Sequence, residues 1–185
     1  TDYQNMFGEC TASGGATGSC EIGDTFNAGE ASISGLELIV QTEMTSASGV
    51  KYPLSAIYTS TDAEFDNTFD SDFWGSVSAG MEIPDLPDSQ LALQAGFETE
   101  NGLSGSATFY SYGSTCSVAS CAAGTEIDSY NVIDASLTKA LNEAMDVYMV
   151  VSNITDETDV IARAPKNGAR AQMPRSILVG IRYRL

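Results

Sequence analysis

"PRSILVGIRYRL", from Pro174 to Leu185, has an apolar side chain at every second position: Ile177, Val179, Ile181, Tyr183 and Leu185. Between them stand Ser176, Leu178, Gly180, Arg182 and Arg184. A period of two is the period of a β-strand, whose successive side chains point to opposite faces. This run therefore predicts a strand with one greasy face and one face carrying two arginines.

The same alternation recurs upstream. Residues 31–44 set Leu36, Leu38 and Val40 against Gly35, Glu37 and Gln41. Residues 50–60 set Val50, Tyr52, Leu54, Ala56 and Tyr58 against Lys51, Ser55 and Thr59, and Pro53 inside this run predicts a bulge or a position near the strand end. Residues 89–99 set Leu91, Leu93, Ala95 and Phe97 against Gln90, Gln94 and Glu98. "LSGSATFYSY" (103–112) is a weaker strand, richer in small residues. Ile133, Ala135 and Leu137 oppose Tyr130, Asp134 and Ser136; Met145, Val147, Met149 and Val151 oppose Asp146, Tyr148 and Ser152. With "TDYQNMF" at the front, the pattern gives about eight strands and no helix.

The links between strands alternate in length. "TSASG", "ENG" and "KALNE" are short, whereas the connections near residues 8–29, 62–88, 113–129 and 155–173 are long. In an antiparallel row this puts all long loops at one end. Transmembrane β-barrels combine short periplasmic turns, long extracellular loops and strands of about 10 residues, apolar outward and polar inward. In water the same alternation would bury its apolar face in a sandwich. Gln, Ser, Glu, Asp, Arg and Tyr on the second face suit a wet lumen, so the expected fold is all-β, an antiparallel transmembrane barrel. If Leu185 is periplasmic, every long loop falls outside the cell. Seven aromatics near strand ends (Tyr52, Tyr58, Phe97, Phe109, Tyr110, Tyr112 and Tyr183) fit interfacial girdles.

Composition narrows the function. The chain has 185 residues, 25 of them acidic and 8 basic, for a net charge of -17. Such a surface excludes nucleic acid as a partner, because phosphates demand cations. Lys51 is the only basic residue before Lys139; the others are Arg163, Lys166, Arg170, Arg175, Arg182 and Arg184. The four cysteines form two close pairs around small polar stretches, without zinc-site spacing and with no histidine to assist. Two local disulfides, Cys10–Cys20 and Cys116–Cys121, are expected, each contributing roughly 2–3 kcal/mol, in an oxidising compartment. No catalytic constellation is visible, and no cofactor is implied.

Several runs, in order, resemble the C-terminal barrel of TonB-dependent outer-membrane receptors. "NAGEASISGLEL" (27–38) is similar to the family's Asn-x-Gly-x-Ala…Gly-x-Glu strand, and "AIYTSTDAEF" (56–65) to its Tyr-Thr-x-Thr-Asp-Ala strand. "PDSQLALQAG" (87–96) resembles the Pro-x-x-Gln segment that precedes a descending strand. "YNVIDASLTKALNEAMDVYMVVSNITDE" (130–157) resembles the penultimate hairpin with its Val-x-Asp and Asn-x-x-Asp signatures, and 174–185 the closing strand. The family usually ends on Phe or Trp where this chain has Leu185. The resemblance implies a barrel of about 22 strands, of which these would be the last third. It further implies a plug domain and earlier strands upstream, a TonB complex that acts through that plug, and residence in the lipid and lipopolysaccharide of the outer membrane. It implies capture of a scarce nutrient, most often a ferric siderophore. The opening Thr1 agrees with an upstream portion of the same protein.

For the ligand, the last long loop stands out. Arg163, Lys166, Arg170 and Arg175 gather there, and arginine grips carboxylates in bidentate fashion. "ARAPKNGARAQMPRS" resembles the ferric-citrate branch, which implies an anionic iron chelate. The competing use of these cations is pairing with acidic loops or lipopolysaccharide phosphates. Asp62, Glu64, Asp66, Asp70 and Asp72 are a weak Ca²⁺ candidate that lacks EF-hand spacing and otherwise read as a solvated acidic loop. Two other architectures suit the same pattern: a self-contained eight-stranded outer-membrane barrel with a structural or adhesin role, and a secreted disulfide-stapled β-sandwich that binds a partner.

Overall fold

The computed structural model describes residues 2–3, 7–9, 25–27, 29–71, 75–163 and 168–184. Cys10, Cys20, Asp72, Lys166 and Leu185, and with them the expected Cys10–Cys20 bridge, lie outside the described residues.

The chain alternates long wall strands with short ladders. β1 (Asp2–Tyr3) leads to a ladder of β2 (Phe7–Glu9) with β3 (Thr25–Asn27). β4 (Ala31–Thr45) and β5 (Lys51–Phe65) form a long hairpin, followed by the ladder β6 (Phe69–Ser71) with β7 (Gly75–Val77). β8 (Ser89–Glu98) and β9 (Leu103–Tyr112) precede the ladder β10 (Thr115–Cys116) with β11 (Glu126–Ile127). β12 (Tyr130–Asn142) and β13 (Met145–Ser152) precede β14 (Val160–Ala162) with β15 (Arg170–Ala171), and β16 (Ser176–Tyr183) closes the series. The wall is one antiparallel eight-stranded sheet of order β1-β4-β5-β8-β9-β12-β13-β16. Among the described residues β1 and β16 do not pair, so the eight strands form an open sheet, not a closed eight-stranded barrel.

Register places the alternating faces together. Val40, Ala56, Leu93, Phe109 and Ile133 stand in one row across five strands. One rung toward the short turns, Thr42, Leu54, Ala95, Ala107, Ala135, Val151 and Ile177 form the next row of that face. The opposite face carries Gln41, Ser55, Gln94, Thr108 and Asp134 in line. No second sheet covers the apolar face among the described residues: Leu36 is 63% exposed, Ile177 64% and Ile181 69%. A sandwich would have buried these side chains, so the soluble alternative fails. The polar face is not wholly polar; Ile39, Ile57 and Leu178 lie on it.

Two expectations need correcting. The opening run does not lie wholly in the wall: Asp2–Tyr3 join it, whereas Phe7–Glu9 pair with Thr25–Asn27 in a loop ladder. The link "KALNE" is shorter than expected. β12 runs on to Asn142 through an irregular step, leaving Glu143 and Ala144 as the turn. Pro53 pairs with Glu43 on one side but interrupts the ladder to β8, as a residue without an N–H must.

What core exists lies under the long loops. Ala31, Phe65, Val77 and Ala119 are buried together, with Phe69, Met81 and Ile83 against them. Phe65 meets Phe69 edge-on at 5.5 Å between ring centres. The Cys116–Cys121 disulfide forms as expected, with Cα atoms 5.3 Å apart, and the short loop it closes delivers Ala119 to this cluster.

Candidate ligand-binding site

The polar face ends, at the long-loop side, in the row Glu37, Thr59, Gln90, Tyr112 and Tyr130. Tyr112 and Tyr130 are direct cross-strand partners, and their rings stack at 4.8 Å with 22° between planes. Offset aromatic pairs of this kind are favourable and leave an outer π-face open. Three loops converge beside them. The 66–88 loop brings Asp85, the 113–129 loop brings Thr115 and Ile127, and the 153–175 loop brings Ile161 and Arg163; together with Gln90 and the tyrosines they enclose a cavity of about 340 Å³.

Each loop is pinned. The Asp85 amide donates to the Cys116 carbonyl at 2.8 Å, and the Thr115 hydroxyl to the Leu86 carbonyl at 3.2 Å. Arg163 Nε donates to the Glu126 carbonyl at 2.7 Å, joining the third loop to the second. Asp85 holds a left-handed backbone, φ 60°, and burial of its carboxyl pushes its pKa above the ordinary value, although the residue as a whole stays open to solvent. The cavity thus joins an aromatic platform, a fixed guanidinium, the Asp85 carboxyl and the Gln90 amide. That set suits a ligand with a planar ring and anionic oxygens.

The expected cations are arranged differently from one another. Arg163 lines the cavity. Arg170 stands opposite Ala162 in the β14–β15 ladder, next to Arg163 in the fold. Arg175 turns to its own loop: its amide donates to Asp156 Oδ1 at 2.9 Å, Nη1 to the Ile154 carbonyl at 3.3 Å, and Nη2 lies 3.5 Å from Asp156 Oδ2. Lys166 is outside the described residues.

The Val-x-Asp and Asn-x-x-Asp signatures meet in the same loop. Asp134 Oδ1 accepts the Asn153 amide at 2.9 Å. Buried Asn153 donates from Nδ2 to the carbonyls of Glu157 and Met173, at 2.8 and 2.9 Å. Asn153 and Asp156 both have positive φ, a conformation that Asn and Asp tolerate better than most residues. The signatures therefore fix the root of the loop that bears Arg163.

Of the acidic Ca²⁺ candidates, Asp66 accepts the Ser32 hydroxyl at 2.8 and 2.7 Å, and Asp70 accepts the Ser76 hydroxyl at 2.7 Å. Among the described residues no three carboxylate or cysteine side chains converge as metal ligands.

At the other end of the wall, the two arginines of the closing strand find their use. Arg184 Nη2 donates to Asp146 Oδ2 at 2.6 Å, and Arg182 Nη1 lies 4.0 Å from the same oxygen. The Arg182 guanidinium also sits 5.6 Å from the centre of the Tyr148 ring. Gly180 makes room for that ring, since a Cβ there would stand 2.5 Å from it.

Residues 1–154 match the family described as TonB dependent receptor-like, beta-barrel. The chain belongs to that family. Solved structures of receptors and transporters share its fold. The siderophore receptor PiuA from Acinetobacter baumannii superposes with a TM-score of 0.76 at 20% identity, over 99% of this chain and 24% of that one. The ferric-catecholate import receptor Fiu from E. coli K12, in its closed form, gives 0.69 at 24% identity, over 99% and 24%. The outer membrane transporter YddB from Escherichia coli gives 0.66 at 11% identity, over 97% and 28%. The chain thus spans about a quarter of the length of these proteins. No curated protein matches it. TonB-dependent receptors are transport receptors whose barrels reside in the outer membrane, so the apolar face of this sheet meets lipid and the polar face meets the lumen.

Sequence reasoning missed the platform. Tyr112 was grouped with aromatics of the membrane girdle, yet its register turns it, and Tyr110, into the lumen. Counting parity from Leu93 would have separated them. Asp85 gave no signal, because its partners come from loops far away in sequence.

Proposed function

We propose that this chain is the C-terminal segment of a receptor barrel of about 22 strands, and that it builds part of the mouth at which an anionic iron chelate is captured. The observation that carries this reading is the cavity beside the stacked Tyr112–Tyr130 pair, with Arg163 fixed at its edge. A ferric siderophore with aromatic or carboxylate iron ligands suits it: the ring lies on the tyrosines and the anionic oxygens meet the guanidinium. Arg170 and Lys166 extend the cationic side of the same loop. Arg175 braces the loop through Asp156. Upstream strands complete the wall, a plug domain fills it, and TonB acts on that plug to let the ligand through. The open edges of the sheet and the greater length of the solved receptors support this larger assembly.

The test is equilibrium binding by the whole protein in detergent, read by quenching of intrinsic fluorescence, with ferric citrate and with a ferric tris-catecholate as probes. The expected result is saturable binding of one chelate, weakened by roughly ten- to a hundredfold in Tyr112→Ala and Arg163→Ala, in line with a lost stacking or charged contact. Undiminished binding in both variants would sink the assignment of the mouth. The intact mass under denaturing, reducing conditions tests the larger barrel: a lone 19.5 kDa chain with no partner polypeptide would overturn it.

A further inference from the structure

The lipid-facing side of the wall is not evenly covered. Ala95, Ala107 and Ala135 are neighbours in one row across β8, β9 and β12. Leu93, Phe109 and Ile133 form the row toward the loops; Phe97 and Leu137 flank it toward the turns, on either side of Gly105. Three methyl groups between bulkier neighbours leave two adjoining grooves of about 440 and 560 Å³, which share Ala95 and Ala107. Their walls are predominantly apolar side chains, from Val40 and Leu54 at one end to Val50 and Tyr52 at the other. An unfilled groove forfeits the dispersion contacts of every atom along it.

One charge of the wall strands faces outward at the turn end, and the exposed carboxylates Glu100, which reaches toward Gly49, and Glu143 stand in the adjacent turns. Lys139 shares a row with Leu103, Val147 and Ile181, so its register is outward. Among the described residues of the wall strands it is the one cation on that side; Lys51, Arg182 and Arg184 belong to the luminal register. Its ammonium donates to the Asn101 carbonyl in the neighbouring turn at 2.5 Å and lies 3.5 Å from Asn101 Oδ1. An ammonium has three donors, so at least one remains for another acceptor. The outward carboxylates Asp62 and Glu64 lie at the opposite end of β5. The turn end is the periplasmic end, where the leaflet is phospholipid and the protein surface must meet phosphate.

We propose that the outer wall holds one phospholipid molecule, with an acyl chain in the groove floored by Ala95, Ala107 and Ala135 and its headgroup phosphate against Lys139. Apolar shape and charge complementarity coincide on this one strip. Long lysine side chains reach from an apolar surface to the interface in this manner, and one cation next to an anionic headgroup strengthens attraction several-fold. The site depends on the membrane setting of the family and is independent of the chelate proposed for the mouth, so either can fail alone.

The test is native mass spectrometry of the whole protein, extracted in mild detergent, stripped of lipid and titrated with phosphatidylglycerol. The wild type is expected to retain one lipid per chain. Lys139→Gln should weaken retention about fivefold, the worth of one cation at an anionic surface. Ala107→Phe should abolish it, while Ala92→Phe, on the luminal side, keeps it; heat-modified migration on a gel verifies that each variant still folds. If Ala107→Phe misfolds, Ala135→Leu fills the same groove. Unchanged retention in both Lys139→Gln and the groove variant overturns the proposal. So does loss with Lys139→Gln but not with the groove variant, which means a headgroup contact only. Self-association of lipid-free wild type that vanishes in Ala107→Phe also overturns it, in favour of a contact between copies.

Discussion

The Asp146 side chain is 6% exposed, whereas its partners Arg182 and Arg184 are 60% and 57% exposed. The pair should therefore fail asymmetrically. Without Asp146 the guanidiniums turn to water, and the loss is small. Without both arginines a buried carboxylate stands alone, at a cost of about 3–5 kcal/mol. Thermal denaturation in detergent should show Arg182→Ala/Arg184→Ala far below Asp146→Ala; the reverse order would refute the account. Asp85 gives a second residue-scale prediction. Its raised pKa means that the folded protein holds the proton to higher pH than the unfolded chain. Its stabilising contribution is complete below the ordinary carboxylate pKa and fades as pH rises through the raised value. Exchange protection of the Asp85 amide, corrected for intrinsic rates, should fall across that window and become flat in Asp85→Asn. At this scale the sequence was partly legible. The Asp134, Asn153 and Asp156 signatures could be recognised from order and spacing, because their roles are local to one hairpin and its loop. The meeting of Asp85 with Arg163 and Tyr130 depends on three loops folding over each other, and no periodicity encodes that.

Strands were the most legible elements, because a face that meets one solvent and a face that meets another impose a strict period of two. The same logic gives an element-scale prediction. Leu93→Arg, outward in the middle of β8, should lower stability by about 2–4 kcal/mol, the cost of a charge deep in the bilayer, whereas Gln94→Arg, one residue on and luminal, should change it little. Equal losses in urea unfolding would mean that the faces have been assigned wrongly. Turn lengths were less legible: the first four residues of "KALNE" simply extend β12 to Asn142, where the chain must reverse. The Cys116–Cys121 loop was read correctly from small residues between close cysteines. Its depth was not, since Val118 and Ala119 are buried where the run "SVAS" reads as surface. Reduction, or Cys116→Ser with Cys121→Ser, should loosen the 113–129 loop by about 2 kcal/mol and open it to limited proteolysis, with the wall strands still protected.

On the scale of the whole molecule, the sheet inverts the economy of a soluble domain. Its buried apolar cluster is small and sits at the long-loop end, where Ala31 and Phe65 of the wall meet Val77 and Ala119 of the loops, and its broadest apolar surface is left outside. Purified residues 1–185 should therefore be monodisperse only with detergent or lipid; light scattering that shows a stable monomer in plain buffer would contradict the membrane reading. Fold class, the eight strands of the wall and the grouping of the long links at one end were visible in the sequence, whereas the four short ladders within those links were not, because lipid and water write their boundary only into the wall strands. Openness came from the family resemblance, which implied one part of a larger barrel, and not from any single strand, since two unpaired edges look, residue by residue, like any other strand. Each of the four long connections zips into its own two-stranded ladder before reaching its tip. Backbone hydrogen bonding thus begins at the neck of each loop, and in the 113–129 loop a residue beyond it, Ala119, packs back against Ala31 and Phe65 at the ends of the wall strands. The rim of the wall is therefore a joint structure, part strand and part loop, and the short Cys116–Cys121 loop belongs to it as much as the strands do.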